Sequence, residues 1–84
     1  MKNVVIIGAS RTPMGGFHGE LSQASATDLG GSAIKGAIED AKVNLNDVNE
    51  VIMGNVLSAG LGQAPARQAS FKAGLSEDVP AVTL

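Results

Sequence analysis

The chain lacks cysteine, tryptophan and tyrosine, and Phe17 and Phe71 are its only aromatic residues. Without cysteine there is no disulfide and no thiol nucleophile within these 84 residues. The absence of thiols fits a reducing compartment. Two phenylalanines offer no platform on which successive bases could stack. Positive charge is also scarce: six Lys and Arg against eight Asp and Glu give a net charge of −2, which argues against a nucleic-acid partner. The longest apolar run, Val4 to Ile7, is far too short for a membrane span or the core of a signal peptide. These absences predict a cytoplasmic protein with no membrane or nucleic-acid partner. Histidine occurs once, at His18, and no sequence neighbour supplies it with an acid, nucleophile or metal.

What is abundant is small. Eleven glycines and many alanines let helices approach a sheet closely. At this length the chain makes at most one small domain, with a modest core. Val4, Val5, Ile6 and Ile7 read as a central strand, apolar on both faces. Pro13, Gly15, Gly16 and Gly19 then force a loop up to Ser25.

Ser25 followed three residues later by Asp28 reads as a capping box, with Asp in place of the usual Glu or Gln. Leu29, Ala33, Ile34, Ala37, Ile38 and Ala41 keep one face of the resulting helix apolar. Glu39 and Lys42 on the other face are spaced for an ion pair. Gly30, Gly31 and Gly36 each cost about 1 kcal/mol of helix propensity, so their presence predicts close packing against a neighbour. One turn of helix is expected near Asn46 to Val48.

Glu50 to Leu57 reads as a second strand, and Ser58 to Gly62 as a glycine-rich turn. Gln63 to Ala73 reads as a second helix, with Pro65 in its first turn and Gly74 at its stop. A third strand starts at Pro80 and runs through Ala81, Val82, Thr83 and Leu84. The alternation predicts an α/β fold with a parallel sheet and right-handed crossovers.

Chemistry is sparse. Gly8 to Pro13 follows a strand where a phosphate loop would stand, but it has neither the Gly-x-Gly-x-x-Gly nor the Gly-Lys-Ser/Thr pattern. Arg11 there reads as a donor to backbone carbonyls. Ser10, Ser58 and Ser70 lack a Gly-x-Ser-x-Gly elbow. The acidic residues have no metal-ligand spacing. Arg67, flanked by Ala66 and Ala69, reads either as a surface arginine or as the centre of a buried or interfacial hydrogen-bond network.

Several stretches, in order, resemble the amino-terminal end of a thiolase. They are Arg11-Thr12-Pro13-x-Gly15-x-Phe17-x-Gly19-x-Leu21, Ala26-Thr27-Asp28-Leu29-Gly30, and Gly54-Asn55-Val56-Leu57. Ala59-Gly60-x-Gly62-Gln63, Pro65-Ala66-Arg67-Gln68-Ala69 and Val79-Pro80-Ala81 complete the pattern. Ala64 departs from it, because many members carry Asn there.

The resemblance implies that residues 1–84 are an incomplete amino-terminal domain, the β-α-β-α-β part of a five-stranded mixed sheet layered with helices. It implies a parent chain on the order of four hundred residues. The parent would be an acyltransferase, acetyl-CoA C-acetyltransferase in type, with a coenzyme A thioester as substrate. A reactive cysteine in a Cys-Gly-Ser-Gly-like segment would follow the last strand. Neither catalytic nor cofactor-binding nor metal-binding residues are carried over onto these positions, and this portion alone would be inactive. In the family the third strand pairs across a two-fold axis, so Val82 and Leu84, with Arg67, are expected at or beside a subunit interface of a homodimer or homotetramer. The alternatives are a ketoacyl-synthase-like condensing enzyme of the same superfamily, or a self-contained nucleotide-binding or scaffolding module.

Overall fold

The computed structural model describes residues 3–16, 19–55 and 59–84. Helix α1 spans Ala26–Ala41, strand β1 Val51–Met53, helix α2 Pro65–Lys72 and strand β2 Ala81–Thr83, with a short 3-10 turn at Leu45–Asp47. The strands pair in parallel, Val51 opposite Ala81, Ile52 opposite Val82 and Met53 opposite Thr83. Beyond the strand ends, Leu84 N–H donates to Met53 O at 2.8 Å and Asn55 N–H donates to Leu84 O at 3.0 Å. The β-α-β crossover inferred from the sequence is therefore present, with α2 connecting β1 to β2. The expected strand at Glu50 to Leu57 is shorter, and its last residues, Val56 and Leu57, lie outside the described residues together with Ser58.

Helix α1 begins where its capping residues dictate. The Ser25 hydroxyl accepts from Asp28 N–H at 3.1 Å, and Asp28 Oδ2 accepts from Ser25 N–H at 3.2 Å. Each group satisfies a donor that the first helical turn leaves unpaired. The helix stops at Lys42, which turns into the left-handed region at φ 58°. That reversal carries Lys42 out of helical register, and the expected Glu39–Lys42 ion pair is not formed: the residues meet through Lys42 N–H donating to Glu39 O at 3.2 Å.

Helix α2 ends at a glycine. Gly74, at φ 92°, donates its N–H to Phe71 O at 2.9 Å, and Leu75 N–H donates to Ser70 O at 3.1 Å. This pair of reverse bonds satisfies two carbonyls of the last turn and needs a left-handed residue between them. The turn directs Leu75 inward, where it is buried with Val51 and Val79 beneath Ile34, Ile38, Val48 and Met53.

The two helices touch through glycine. A Cβ on Gly30 would stand 3.1 Å from both Ala69 Cβ and Met53 Cε, and one on Gly31 would stand 2.6 Å from Lys72 Cβ. Gly30 and Gly31 are buried, as are Ala66 and Ala69 on the facing helix. The predicted close neighbour of Gly30 and Gly31 is α2, whereas Gly36 packs against Ser10. Ser70, also on α2, is 1% exposed, and its hydroxyl has no hydrogen-bond partner among the described residues.

The expected first strand is not formed as a strand. Val4, Val5, Ile6 and Ile7 run without a ladder and are 97%, 71%, 91% and 64% exposed. β-branched residues favour extended backbone but make a strand only where another strand accepts their hydrogen bonds. Here the chain leads past α1 instead. A Cβ on Gly8 would lie 2.7 Å from Ala37 O, and Ala9 N–H donates to Asp40 Oδ2 at 3.1 Å. These contacts tie the segment to the C-terminal half of α1, and none joins it to β1.

Gly31→Ala should lower stability by about 1–3 kcal/mol through overpacking, in spite of alanine's better helix propensity. Gly54→Ala should change it by less than about 0.5 kcal/mol, because a Cβ there meets nothing within 4 Å. Denaturant midpoints of the two variants check this.

Candidate functional site

Open α/β sheets place their sites outside the carboxyl ends of parallel strands. In this chain that edge holds Met53 at the end of β1 with Gly54 and Asn55 after it, and Thr83 at the end of β2. Both helices also begin there. A cavity of about 90 Å³ lies at this edge, lined by Ala26 and Thr27 of α1, Pro65 of α2, Asn55, Met53 and Thr83. Ligand sites usually enclose about 300–1,000 Å³, so this cavity is one wall of a site and not a complete pocket.

The start of α2 is built in an unusual way. Its capping position is Ala64, with φ 47° and ψ 67°, and an alanine has no side chain to accept a hydrogen bond. The left-handed region is costly for a residue with a Cβ. The missing acceptor comes from the sheet: Thr83 Oγ1 accepts from Ala66 N–H at 2.9 Å. Gln68, one turn further on, reaches back and donates through Nε2 to Leu61 O at 2.6 Å and Gln63 O at 2.8 Å. Gly60 and Gly62, at φ 80° and 79°, supply the positive angles that the intervening turn requires. The Gln63-x-Pro65-Ala66-Arg67-Gln68 stretch is thus a loop, a helix start and the clamp that joins them. The sequence placed the helix start two residues early, because the left-handed turn at Ala64 has no signature in an alanine.

Across the cavity edge, Lys72 at the end of α2 meets the start of α1. Its Nζ pairs with Asp28 Oδ1 and donates to Thr27 Oγ1 at 3.2 Å. The Lys72 bond is the largest cause that draws the Asp28 carboxyl from 3.8 to about 2, and the Ser25 backbone N–H adds to it. No local pattern marks this pair, because its members are 44 positions apart.

The other sequence candidates are dispersed. Arg67 is half-buried; its Nη1 donates to Glu77 O at 3.0 Å, and its guanidinium lies 5.8 Å from the Phe71 ring centroid. Val82 is 44% exposed and Leu84 is 76% exposed. Arg11 is exposed, and the expected donation to backbone carbonyls is not seen among the described residues. Its neighbours Ser10, Pro13 and Met14 line an open groove with Leu21, Leu29 and Ala33. His18 and Phe17 lie outside the described residues. Among the described residues, no helix is long and apolar enough to cross a membrane.

Taken together, the fold and its carboxyl-edge cavity define part of an α/β sheet domain with a small cavity where the helices begin. Residues 4–84 match the family model of the thiolase N-terminal domain. The chain is 58% identical over 84 residues to the acetyl-CoA acetyltransferase of Escherichia coli strain K12, covering all of this chain and 21% of that protein. It is 55% identical over 84 residues to the mitochondrial acetyl-CoA acetyltransferase of Danio rerio, covering 20% of that protein. The crystal structure of the Acat5 thiolase from Ascaris suum in complex with coenzyme A superposes with a TM-score of 0.95 at 42% identity, over 99% of this chain and 22% of that one. The chain belongs to the thiolase family. It spans about a fifth of the length of the curated relatives it matches.

Lowering the pH should weaken the α1–α2 contact in a defined window. Asp28 has a depressed carboxyl, so its contribution is complete above the unfolded value near 3.8 and is lost as the pH falls through about 2. Asp28→Asn should flatten that part of a stability-against-pH curve and leave the curve above pH 5 parallel to the parent. Ala64→Gly should raise the unfolding free energy by about 1 kcal/mol through relief of the left-handed Cβ, read as a higher melting temperature.

Proposed function

We propose that these 84 residues form the amino-terminal portion of a thiolase that transfers acyl groups to or from coenzyme A. In the degradative direction, a 3-ketoacyl-CoA and free coenzyme A give acetyl-CoA and an acyl-CoA two carbons shorter. In the synthetic direction, two acyl-CoA molecules condense and release coenzyme A. The observation that carries this reading is agreement along the whole length: one continuous alignment to named acetyl-CoA acetyltransferases and one superposition on a coenzyme A-bound thiolase.

The chemistry needs a thiol to hold the acyl group, and this stretch has none. The nucleophile therefore belongs to other segments, and these residues supply scaffold. This portion binds no cofactor of its own in the proposed scheme. Coenzyme A thioesters are substrates of the whole enzyme. The four exposed side chains of Val4 to Ile7 support the same reading, since a longer sheet would give them strand neighbours and cover. A cytoplasmic location is proposed from the composition, although the Danio rerio relative is named as mitochondrial.

We also propose that β2 forms a subunit contact. Pro80 O and the N–H and C=O of Leu84 bond toward β1, so main-chain groups on the opposite edge of β2 are available to another strand. Val82 and Leu84 stand at or beside this contact, with Arg67 on the helix behind it, in a homodimer or homotetramer.

Thiolysis of acetoacetyl-CoA, followed as loss of its absorbance with coenzyme A present, tests the function on the full-length protein. Turnover by the full-length enzyme and none by residues 1–84 alone is expected; no turnover by the full-length enzyme contradicts it. Val82→Lys in the same protein should shift sedimentation toward the monomer, and an unchanged sedimentation coefficient would reject the interface.

A further inference from the structure

Strand β2 consists of Ala81, Val82 and Thr83, and none of them is charged. The strand therefore lacks the lysine or glutamate that commonly keeps an open edge from pairing. Its bonds to β1 alternate along the chain. Val51 N–H donates to Pro80 O at 2.9 Å, and Leu84 N–H donates to Met53 O at 2.8 Å. Residues that bond to one neighbouring strand are two positions apart, so Pro80, Val82 and Leu84 face β1. Ala81 and Thr83 turn their main-chain groups to the other edge. Val79, two positions before Ala81, already donates its N–H to Ser76 O at 3.2 Å. The open edge of β2 thus offers the N–H and C=O of Ala81 and of Thr83.

We propose that a second copy of this chain pairs antiparallel with this edge in the register that sets Val82 opposite the partner's Val82. The inference rests on the subunit contact proposed above and fixes its register. A two-fold axis makes a surface complementary to itself, so one residue of the strand must stand at the axis. With Ala81 there, Thr83 would face the partner's Val79, whose N–H is already committed. With Thr83 there, Ala81 has no counterpart in β2. With Val82 there, Ala81 faces the partner's Thr83 and Thr83 faces the partner's Ala81. Each such pair exchanges both N–H···O bonds, so every open main-chain group of β2 is satisfied. Val82 then takes the non-bonded position, where Cα atoms are about 4.5 Å apart and side chains meet most closely. Val82 is 44% exposed and stands opposite Ile52 of β1, which is 59% exposed. In this register the two Ile52–Val82 pairs join into one apolar strip across the axis.

Cysteine scanning of the full-length protein reads the register. Ala81→Cys, Val82→Cys and Thr83→Cys are each treated with the thiol oxidant diamide, and non-reducing electrophoresis compares them with the parent treated alike. A disulfide needs Cα atoms within about 7 Å. In the proposed register only Val82→Cys meets that condition, because residues offset by two along the ladder are about 7–8 Å apart. Val82→Cys should run mainly as a covalent dimer, and the other two variants should match the parent. Cross-linking of Ala81→Cys or Thr83→Cys in place of Val82→Cys moves the axis and overturns the register. So does a set without cross-links in variants that sediment as oligomers. Hydrogen exchange in the parent supplies a reading free of substitutions. The Ala81 and Thr83 amides should both exchange slowly in the oligomer, and fast exchange at either contradicts the pairing. A parent that sediments as a monomer overturns the subunit contact first, and the register with it.

Discussion

The contact between the two helices governs this structure. Gly30 and Gly31 let α1 approach Ala69 and Lys72 at a separation that a single methyl group would spoil. Other features depend on that approach. Lys72 reaches Asp28 and Thr27 because the end of one helix lies beside the start of the other. Ile34 and Ile38 close over Val51, Leu75 and Val79 because α1 lies flat enough to cover them. The carboxyl-edge cavity exists because both helices begin on the same side of the sheet. The glycines lower helix propensity by about 1 kcal/mol each, and close packing with burial of small apolar surface offsets that loss.

The covered core is slight for a folded domain. Among the described residues only Val51, Leu75 and Val79 are both sizeable and buried, whereas Val4, Ile6 and Leu84 stand mostly in solvent. Chains of this length sit near the limit of independent stability, so an unpaired apolar segment is a heavy burden. The pattern suits a domain segment whose other layers come from elsewhere in the protein. It accords with the share of its relatives that the chain spans. Helix starts, strand ends and a tertiary cap converge on one edge, and none of the side chains there is a nucleophile.

Legibility followed the range of the interactions. The capping box at Ser25 and Asp28, the stop at Gly74 and the order from the first helix onward could be read because each is decided within a few residues. The glycine pair could be read as a close contact, but its partner on α2 could not, because no local pattern records which element arrives. Val4 to Ile7 misled for a related reason. Strand propensity is local, whereas a strand is a property of its neighbours, and Gly8 and Asp40 hold this segment beside α1. Glu39 and Lys42 had ion-pair spacing, and a left-handed stop at Lys42 separated them. At Ala64 the residue itself carried no sign of the left-handed turn, and the Thr83 hydroxyl accepts from Ala66 N–H just beyond it. The proposed subunit contact at Val82 and Leu84 was reached only through family resemblance, since their exposure alone does not identify a partner.

The most direct measurement of the central claim is native-state hydrogen exchange at increasing denaturant, followed at the amides of Ile34 and Ile38 in α1 and of Ala69 and Ser70 in α2. If the glycine contact welds the helices into one cooperative unit, all four amides will converge on a single opening free energy and the same denaturant dependence. Opening of α1 at low denaturant while the α2 amides stay protected would contradict it.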